Sequence, residues 1–370
     1  MKFYEVTDQV GGEDIWLRRI AKTYNEVPNL IWPKGKQPLI KPISLWDKIL
    51  LKFSIILERV FPEIGRGLFL NFLFAFYKMP DEVTFLSTTY IPIPRGKRII
   101  GYIHTPSRAM TVDYQFTLES HSSGNLMSKI FLKLFRFSYR TVYKFSLPHA
   151  KILLTNSVNV QKRILDFVGI KSEVCYPTQD TASFYSNEPE NYFLLVSKIQ
   201  PYKGHDFCLR AFKIFYEKNK NFKLVIVSVT PKSKEEISYF YQLMSFVNEH
   251  GLPVEFKFDL ERNAVIELYS KAYLCLFGSK NEDLGQVPIE AMASGKPIVS
   301  MKGSGPSETI VDHITGFLVE DELQMAEKLS QLVNDQSMAK QMGTNGRERV
   351  LNLFDDSIFR ECLNKKLELF

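Results

Sequence analysis

Residues 282–299 read Glu282-Asp283-Leu284-Gly285-Gln286-Val287-Pro288-Ile289-Glu290-Ala291-Met292-Ala293-Ser294-Gly295-Lys296-Pro297-Ile298-Val299. A strand-like apolar run ends at Phe277, the polar loop 278–285 follows, and Pro288 suits the first position of a helix, where its missing N–H would have no intrahelical partner. A second apolar run begins at Pro297. Strand, loop, helix and strand in this order belong to a parallel sheet with crossover helices. The helix start presents amides from about Gln286 and Val287 to Ile289, and with the positive end of the dipole it suits a diphosphate. Glu290, placed in the first turn, can accept hydrogen bonds from vicinal hydroxyls such as those of a ribose. Glu282, on the loop before Gly285, can reach a sugar beyond the phosphates. Taken singly, the two acids also fit plainer roles, Glu290 as a partner of the helix dipole and Glu282 as a solvated loop residue.

Working outward, Val196-Ser197-Lys198-Ile199-Gln200-Pro201-Tyr202-Lys203-Gly204-His205-Asp206 follows another apolar strand and precedes an amphipathic helix. Lys198 and Lys203 therefore flank one strand-to-helix loop, at the end of a parallel strand where α/β ligands bind, and both can neutralise a departing diphosphate. Either lysine alone reads as an ordinary surface cation. The same alternation runs through the whole chain. Strands are expected over 2–6, 29–32, 83–87, 98–103, 151–155 and 173–176 in the first half, and over 192–198, 223–229, 254–258, 273–277 and 297–301 in the second. Helical spacing of apolar residues covers 206–218, 233–250, 262–270 and 288–294. The periodicity breaks over 177–189, which reads as a hinge, and Asp355-Asp356-Ser357 reads as the start of a last helix.

A chain of 370 residues exceeds what one core usually organises, which favours two domains. With 45% hydrophobic and 24% charged residues it is neither disordered nor collagenous. The four cysteines are scattered without a CxxC pair and read as reduced packing residues. The N-terminus lacks an apolar signal core, so a cytoplasmic location is expected, and the longest apolar run, 67–77, is too short to span a bilayer. A net charge of +6 and pI near 8.9 suit anionic lipid, nucleic acid or a phosphorylated substrate without choosing among them. There is no GxGxxG fingerprint, which disfavours a nicotinamide or flavin enzyme, and no interleaved aromatic and basic RNA signature, so no nucleic-acid partner is expected.

Both second-half segments resemble those of glycosyltransferase family 4, the retaining GT-B enzymes. Lys203-Gly204 matches the family's Lys-Gly, and Lys198 stands where the family carries Arg. Glu282 and Glu290, with seven residues between them and then Ala291, Ala293, Gly295 and Pro297, reproduce the family's paired acids and Ala-rich helix. Gly303-Ser304-Gly305-Pro306-Ser307-Glu308 is similar to the following glycine loop, with Ser307 inserted. His104-Thr105-Pro106-Ser107-Arg108 is similar to the His-Thr-Pro-Met-Arg of mannosyltransferase-like members, and Gly12 of Gly11-Gly12 to the family's first glycine loop. Unaided by the resemblance, a lone His at a strand end is more often structural. Asn156-Ser157, Arg163-Ile164 and Tyr176-Pro177 match further landmarks of the subgroup.

The resemblance implies an α/β protein of GT-B fold: two Rossmann-like domains with parallel sheets facing a cleft, and a C-terminal helix returning to the first domain. The domains expected are 1–178 on the acceptor side, 179–354 for the donor, and 355–370 as the returning helix. It implies transfer of a hexose, first of all mannose from GDP-mannose, to a glycan or lipid-linked acceptor with retention and without a metal or other cofactor. His104, Lys203 and Glu282 would be catalytic, and Gly12, Lys198, Gly285, Gln286, Val287 and Glu290 would hold the donor. A GT-B epimerase or hydrolase sharing the donor site is the rival among enzymes. A non-catalytic basic protein binding membrane or nucleic acid is the rival outside them. Over 129–144, Lys129, Lys133, Arg136, Arg140 and Lys144 recur at helical spacing with no acid, so this helix either lies on an anionic inner leaflet or holds its cations in water as an ordinary amphipathic helix.

Overall fold

The computed structural model describes residues 1–7, 12–26, 29–32, 79, 81–88, 93–106, 111, 126–279 and 281–370. The chain divides into two units, Met1–Pro177 with Arg360–Phe370, and Thr178–Phe359.

The first unit carries β1 (Lys2–Thr7), β2 (Asn29–Trp32), β3 (Thr84–Thr88), β4 (Ile99–Ile103), β5 (Ile152–Thr155) and β6 (Glu173–Val174), all parallel in the order β2-β1-β3-β4-β5-β6. Every residue of β3 and β4 is buried, as expected of interior strands covered on both faces. The helices described are α1 (Gly12–Thr23), α2 (Leu126–Ser146) and α3 (Val158–Val168). Ser157 caps α3 by accepting from the Val160 amide, and Gly169, at φ +76, closes it in the left-handed region. The chain's last residues belong to this unit, where the Tyr24 hydroxyl donates to Asn364 Oδ1 at 2.8 Å.

The second unit has β7 (Tyr192–Val196), β8 (Lys223–Ser228), β9 (Val254–Phe258), β10 (Leu274–Phe277), β11 (Ile298–Met301) and β12 (Gly316–Val319), parallel in the order β12-β11-β10-β7-β8-β9. The series β7-β8-β9 runs outward to one side and β10-β11-β12 to the other. The order thus reverses between β7 and β10, and the crevice at their carboxyl ends is where such sheets hold ligands. Between the strands lie α4 (His205–Lys218), α5 (Lys234–Glu249), α6 (Arg262–Lys271), α7 (Gln286–Ala293) and α8 (Ser304–Thr309), followed by α9 (Glu322–Asn334) and α10 (Gln336–Leu353); α11 (Asp356–Leu367) starts in this unit, and its residues from Arg360 on belong to the first. Each strand expected from the sequence is present within two residues of its expected ends. The four cysteines are free, with Cys175, Cys208 and Cys275 buried.

One helix start is corrected. α7 begins at Gln286, so Pro288 is its third residue and Glu290 lies in the second turn rather than the first. None of the first four helical amides has an intrahelical acceptor, so proline is tolerated anywhere among them, and left-handed Gly285 at φ +92 turns the chain into the helix two residues earlier.

α4 is fixed by its apolar face: Phe207, Cys208, Ala211, Phe212 and Phe215 are buried at three- and four-residue spacing. Phe193 of β7 meets Phe215 at 4.9 Å and Phe222 at 5.0 Å between ring centroids. At the other end of α4, Gly204 caps the helix at φ +69, and a Cβ on it would lie 2.3 Å from the carbonyl oxygen of Gly278. A Cβ on Gly278 would lie equally 2.3 Å from the carbonyl oxygen of Gly204. The two backbones pack directly on each other, and only glycine permits it. Gly278→Ala, at a position without positive φ, is therefore expected to lower the unfolding free energy by roughly 1–3 kcal/mol through overpacking, measured as a lower urea midpoint for the full chain. An unchanged midpoint would show that the two loops do not touch.

Candidate active site

The Gly204–Gly278 contact joins the loop after β7 to the loop after β10, and one charged group from each loop meets the other. Lys203 Nζ lies 2.6 Å from Glu282 Oε1, with both side chains 21% exposed. Lys203 ends a short 3-10 turn, Pro201–Lys203, and the Ser279 hydroxyl donates to the Tyr202 carbonyl across the same seam at 3.3 Å. The start of α8 packs on the Glu282 backbone: a Cβ on Gly305 would sit 2.7 Å from the Glu282 carbonyl oxygen. Lys198 is exposed at the start of the β7 loop.

The N-terminus of α7 has no side-chain cap, and its amides begin at Gln286 after Gly285. The Gln286 side chain is exposed and its Oε1 accepts from Gln179 Nε2, while Val287 is half-buried. A turn further along, Glu290 is buried and bonded by Arg262 Nη2 at 2.8 Å. The Arg262 guanidinium also lies over the Phe184 ring, 5.2 Å from its centroid. The Tyr269 hydroxyl is buried close by, and burial first, with the Glu290 charge second, pushes its pKa well above the usual value. Sequence reasoning missed Arg262. Its signal was present, since it is the first residue of α6, the end of a helix where the dipole disfavours a cation, so an arginine there serves something other than its own helix.

The site's loop also holds a buried imidazole. His205 follows Gly204, is fully buried, and its Nε2 lies 2.9 Å from the Ser197 hydroxyl. Burial lowers its pKa from 6.5 to about 4, and Lys203 adds to the effect while Asp206 opposes it.

The remaining sequence-predicted residues lie in the first unit. Gly12 is the first residue of α1. His104 follows β4 and is 4% exposed. Its Nε2 lies 2.9 Å from the Ser87 hydroxyl of β3, and Tyr102 meets its ring edge-on at 5.0 Å. Buried Arg163 donates to the Thr105 hydroxyl at 2.7 Å, so the Arg-Ile landmark braces the segment that carries His104. Gly11, Ser107, Arg108, Asp113 and the run 67–77 lie outside the described residues. The structure thus brings Lys203 to Glu282 and Glu290 to Arg262 in the second unit, with Gly285, Gln286 and Val287 on the same connection from β10 into α7 and Lys198 exposed on the loop after β7, and places Gly12 and His104 in the other unit.

Residues 178–349 match the family described as Glycosyl transferases group 1. Residues 178–349 of the chain form a group 1 glycosyltransferase domain. It is 31% identical over 179 residues to the capsular polysaccharide biosynthesis glycosyltransferase CapM of Staphylococcus aureus, a match covering 47% of this chain and 45% of that one. It is 24% identical over 313 residues to human alpha-1,3/1,6-mannosyltransferase ALG2, covering 76% of this chain and 70% of the relative. Among solved structures, Anabaena HepE in complex with UDP superposes with a TM-score of 0.70 at 16% identity, covering 100% of both chains. That likeness establishes the GT-B fold for this group 1 chain.

Two measurements follow from the geometry. His205 stays neutral when folded, so its contribution to stability is fully present above pH 6.5 and shrinks as pH falls from 6.5 towards 4. The loss is about 3 kcal/mol, and His205→Gln should remove that part of the acid slope in urea unfolding across a pH series. Arg262→Ala should leave the Glu290 carboxylate buried without its cation and lower nucleotide affinity about tenfold by calorimetry, with Arg262→Lys recovering part of it. Unchanged affinity in Arg262→Ala would exclude a role for the pair in nucleotide binding.

Proposed function

We propose that this group 1 glycosyltransferase transfers a hexose from a nucleoside-diphosphate sugar to a glycan or lipid-linked acceptor, with mannose from GDP-mannose as the first donor. The observation that carries the reading is the Lys203–Glu282 pair at 2.6 Å, set at the strand-order reversal beside the uncapped start of α7. The diphosphate would lie between Lys203 and the amides of Gln286 and Val287, with Lys198 adding charge from the edge. As the bond from the anomeric carbon to the diphosphate oxygen breaks, negative charge grows on the leaving group. These fixed donors favour that charge without a metal or other cofactor. Glu282 would hold sugar hydroxyls, and Glu290, oriented by Arg262, the ribose. Gly12 would admit close approach of backbone to ligand, and His104, held by Ser87, would contact the transferred sugar. Retention of the anomeric configuration follows from the family 4 resemblance.

The mannose assignment is supported by relatives named as alpha-1,3/1,6-mannosyltransferases, and a nucleotide-sugar donor by HepE complexes that contain UDP and UDP-glucose. Glycan or polysaccharide synthesis is supported by CapM and by the O-antigen chain mannosyltransferase RfbU of Salmonella typhimurium. No helix among the described residues is long and apolar enough to cross a membrane. Contact with an anionic membrane surface through 129–144 is part of the same reading, since a lipid-linked acceptor presents its sugar there.

The test is thermal stabilisation by GDP and UDP, followed by transfer from radiolabelled GDP-mannose and UDP-glucose to a membrane extract. The expected result is stabilisation by one nucleotide, a labelled lipid- or glycan-linked product, and loss of both responses by at least tenfold in Lys203→Ala, which removes a charge-assisted contact to the diphosphate. Free sugar as the sole product would favour the epimerase or hydrolase. A folded protein indifferent to both nucleotides would sink the reading.

A further inference from the structure

An ordinary amphipathic helix buries its apolar residues and leaves its cations in water. α2 does more. Leu132, Tyr139 and Tyr143 are buried, Tyr139 and Tyr143 packing ring to ring at 4.7 Å in the core of the first unit. The same helix carries a second set of large apolar side chains in water: Ile130 is 43% exposed, Leu134 60%, Phe137 70% and Phe145 46%. Their spacings of four, three and eight residues place them on one face. On the helical wheel the cations Lys129, Lys133, Arg136, Arg140 and Lys144 fill the sector between the buried face and this ridge, and α2 contains no Asp or Glu. Lys129, Lys133, Arg140 and Lys144 are exposed, and Arg95 extends the positive rim with its guanidinium 5.6 Å from the Phe145 ring centroid.

An exposed ridge of this size on an acid-free helix is a liability in water and an asset at a lipid surface. We infer that α2 docks the first unit on an anionic bilayer, with Phe137, Leu134 and Ile130 entering the headgroup–acyl boundary and the cation row lying against anionic headgroups on one flank. Charge complementarity selects the occupant: a helix with five cations and no acid favours anionic lipid over a neutral bilayer and opposes a second copy of itself. This deepens the proposed use of a membrane-borne acceptor and rests on it for biological purpose, while the surface itself rests on α2 alone.

The experiment is co-sedimentation of the full chain with vesicles of phosphatidylcholine alone and of phosphatidylcholine with phosphatidylglycerol, together with the nucleotide thermal shift on the same samples. Binding is expected only to the anionic vesicles and should weaken with salt. The double variant Lys133→Glu, Arg140→Glu should lose at least fivefold for each cation removed. Phe137→Ser and Leu134→Ser, at exposed positions that leave folding and the nucleotide response intact, should each cost about tenfold. Equal binding to neutral vesicles, no binding to either, or ridge variants that bind like the original protein would each overturn the inference, as would a dimer in sedimentation velocity that Phe137→Ser dissolves. Vesicle binding without any nucleotide response would instead defeat the transferase reading and leave the surface standing.

Discussion

The candidate site depends on one contact between two peptide backbones. Gly204 and Gly278 approach so closely that neither tolerates a Cβ, and this closeness brings two loops that follow different strands to a common point. Parallel strands stand about 4.8 Å apart, and β7 and β10 are neighbours in the sheet although nearly eighty residues of chain separate their loops. Adjacency of the strands is necessary for Lys203 to meet Glu282 but does not ensure it, because side chains on both loops would hold them apart. Two glycines remove that obstacle. A third, Gly305, lets the start of α8 close on the Glu282 backbone, so the acid is positioned by main-chain packing on two sides. Main-chain packing is stiff, and a stiff placement of opposing charges is what stabilising a departing diphosphate requires.

Much of this was legible beforehand, for identifiable reasons. Strands buried on both faces, such as Ile99–Ile103 and Leu274–Phe277, stand out as continuous apolar runs, and the polar segments that follow them mark the carboxyl ends where ligands bind. Lys203 and Glu282 could be placed because each lies on a loop that follows a strand, and Glu290 because it lies on the helix that the second loop leads into. What stayed hidden depended on contacts between distant segments. The Arg262–Glu290 pair spans two helices, and only the reversed charge at the start of α6 hinted at it. The start of α7 was misplaced by two residues because proline satisfies any of the first helical positions, and a glycine's left-handed turn leaves no composition signal distinct from loop. The second apolar face of α2 was hidden for a different reason. Periodicity shows which residues share a face, but only the packed structure shows which of two apolar faces the core covers.

The two acids of the candidate donor site, Glu282 and Glu290, do not by themselves oppose an anion. Glu282 is paired with Lys203 and Glu290 with Arg262, at 2.6 and 2.8 Å, so each carboxylate is compensated locally before any ligand arrives. Exposed Lys198 and the uncapped α7 terminus, the latter equivalent to about half an elementary charge, add positive charge beside these pairs, while Asp283 on the loop before α7 subtracts from it. In the proposed donor site a diphosphate would share Lys203 without expelling Glu282, because an ammonium has three protons and the carboxylate engages only part of that capacity. In that reading Glu282 would keep an oxygen for sugar hydroxyls. Replacing Lys203 by a neutral residue would remove the cation and also expose the incoming phosphates to the bare carboxylate of Glu282, so the loss would exceed that of one contact. Among the described residues, Lys198 has no ion-pair partner comparable to Glu282. Its removal would cost only its own screened attraction, and the two lysines that looked equivalent in the sequence are separated by the acid that only one of them faces.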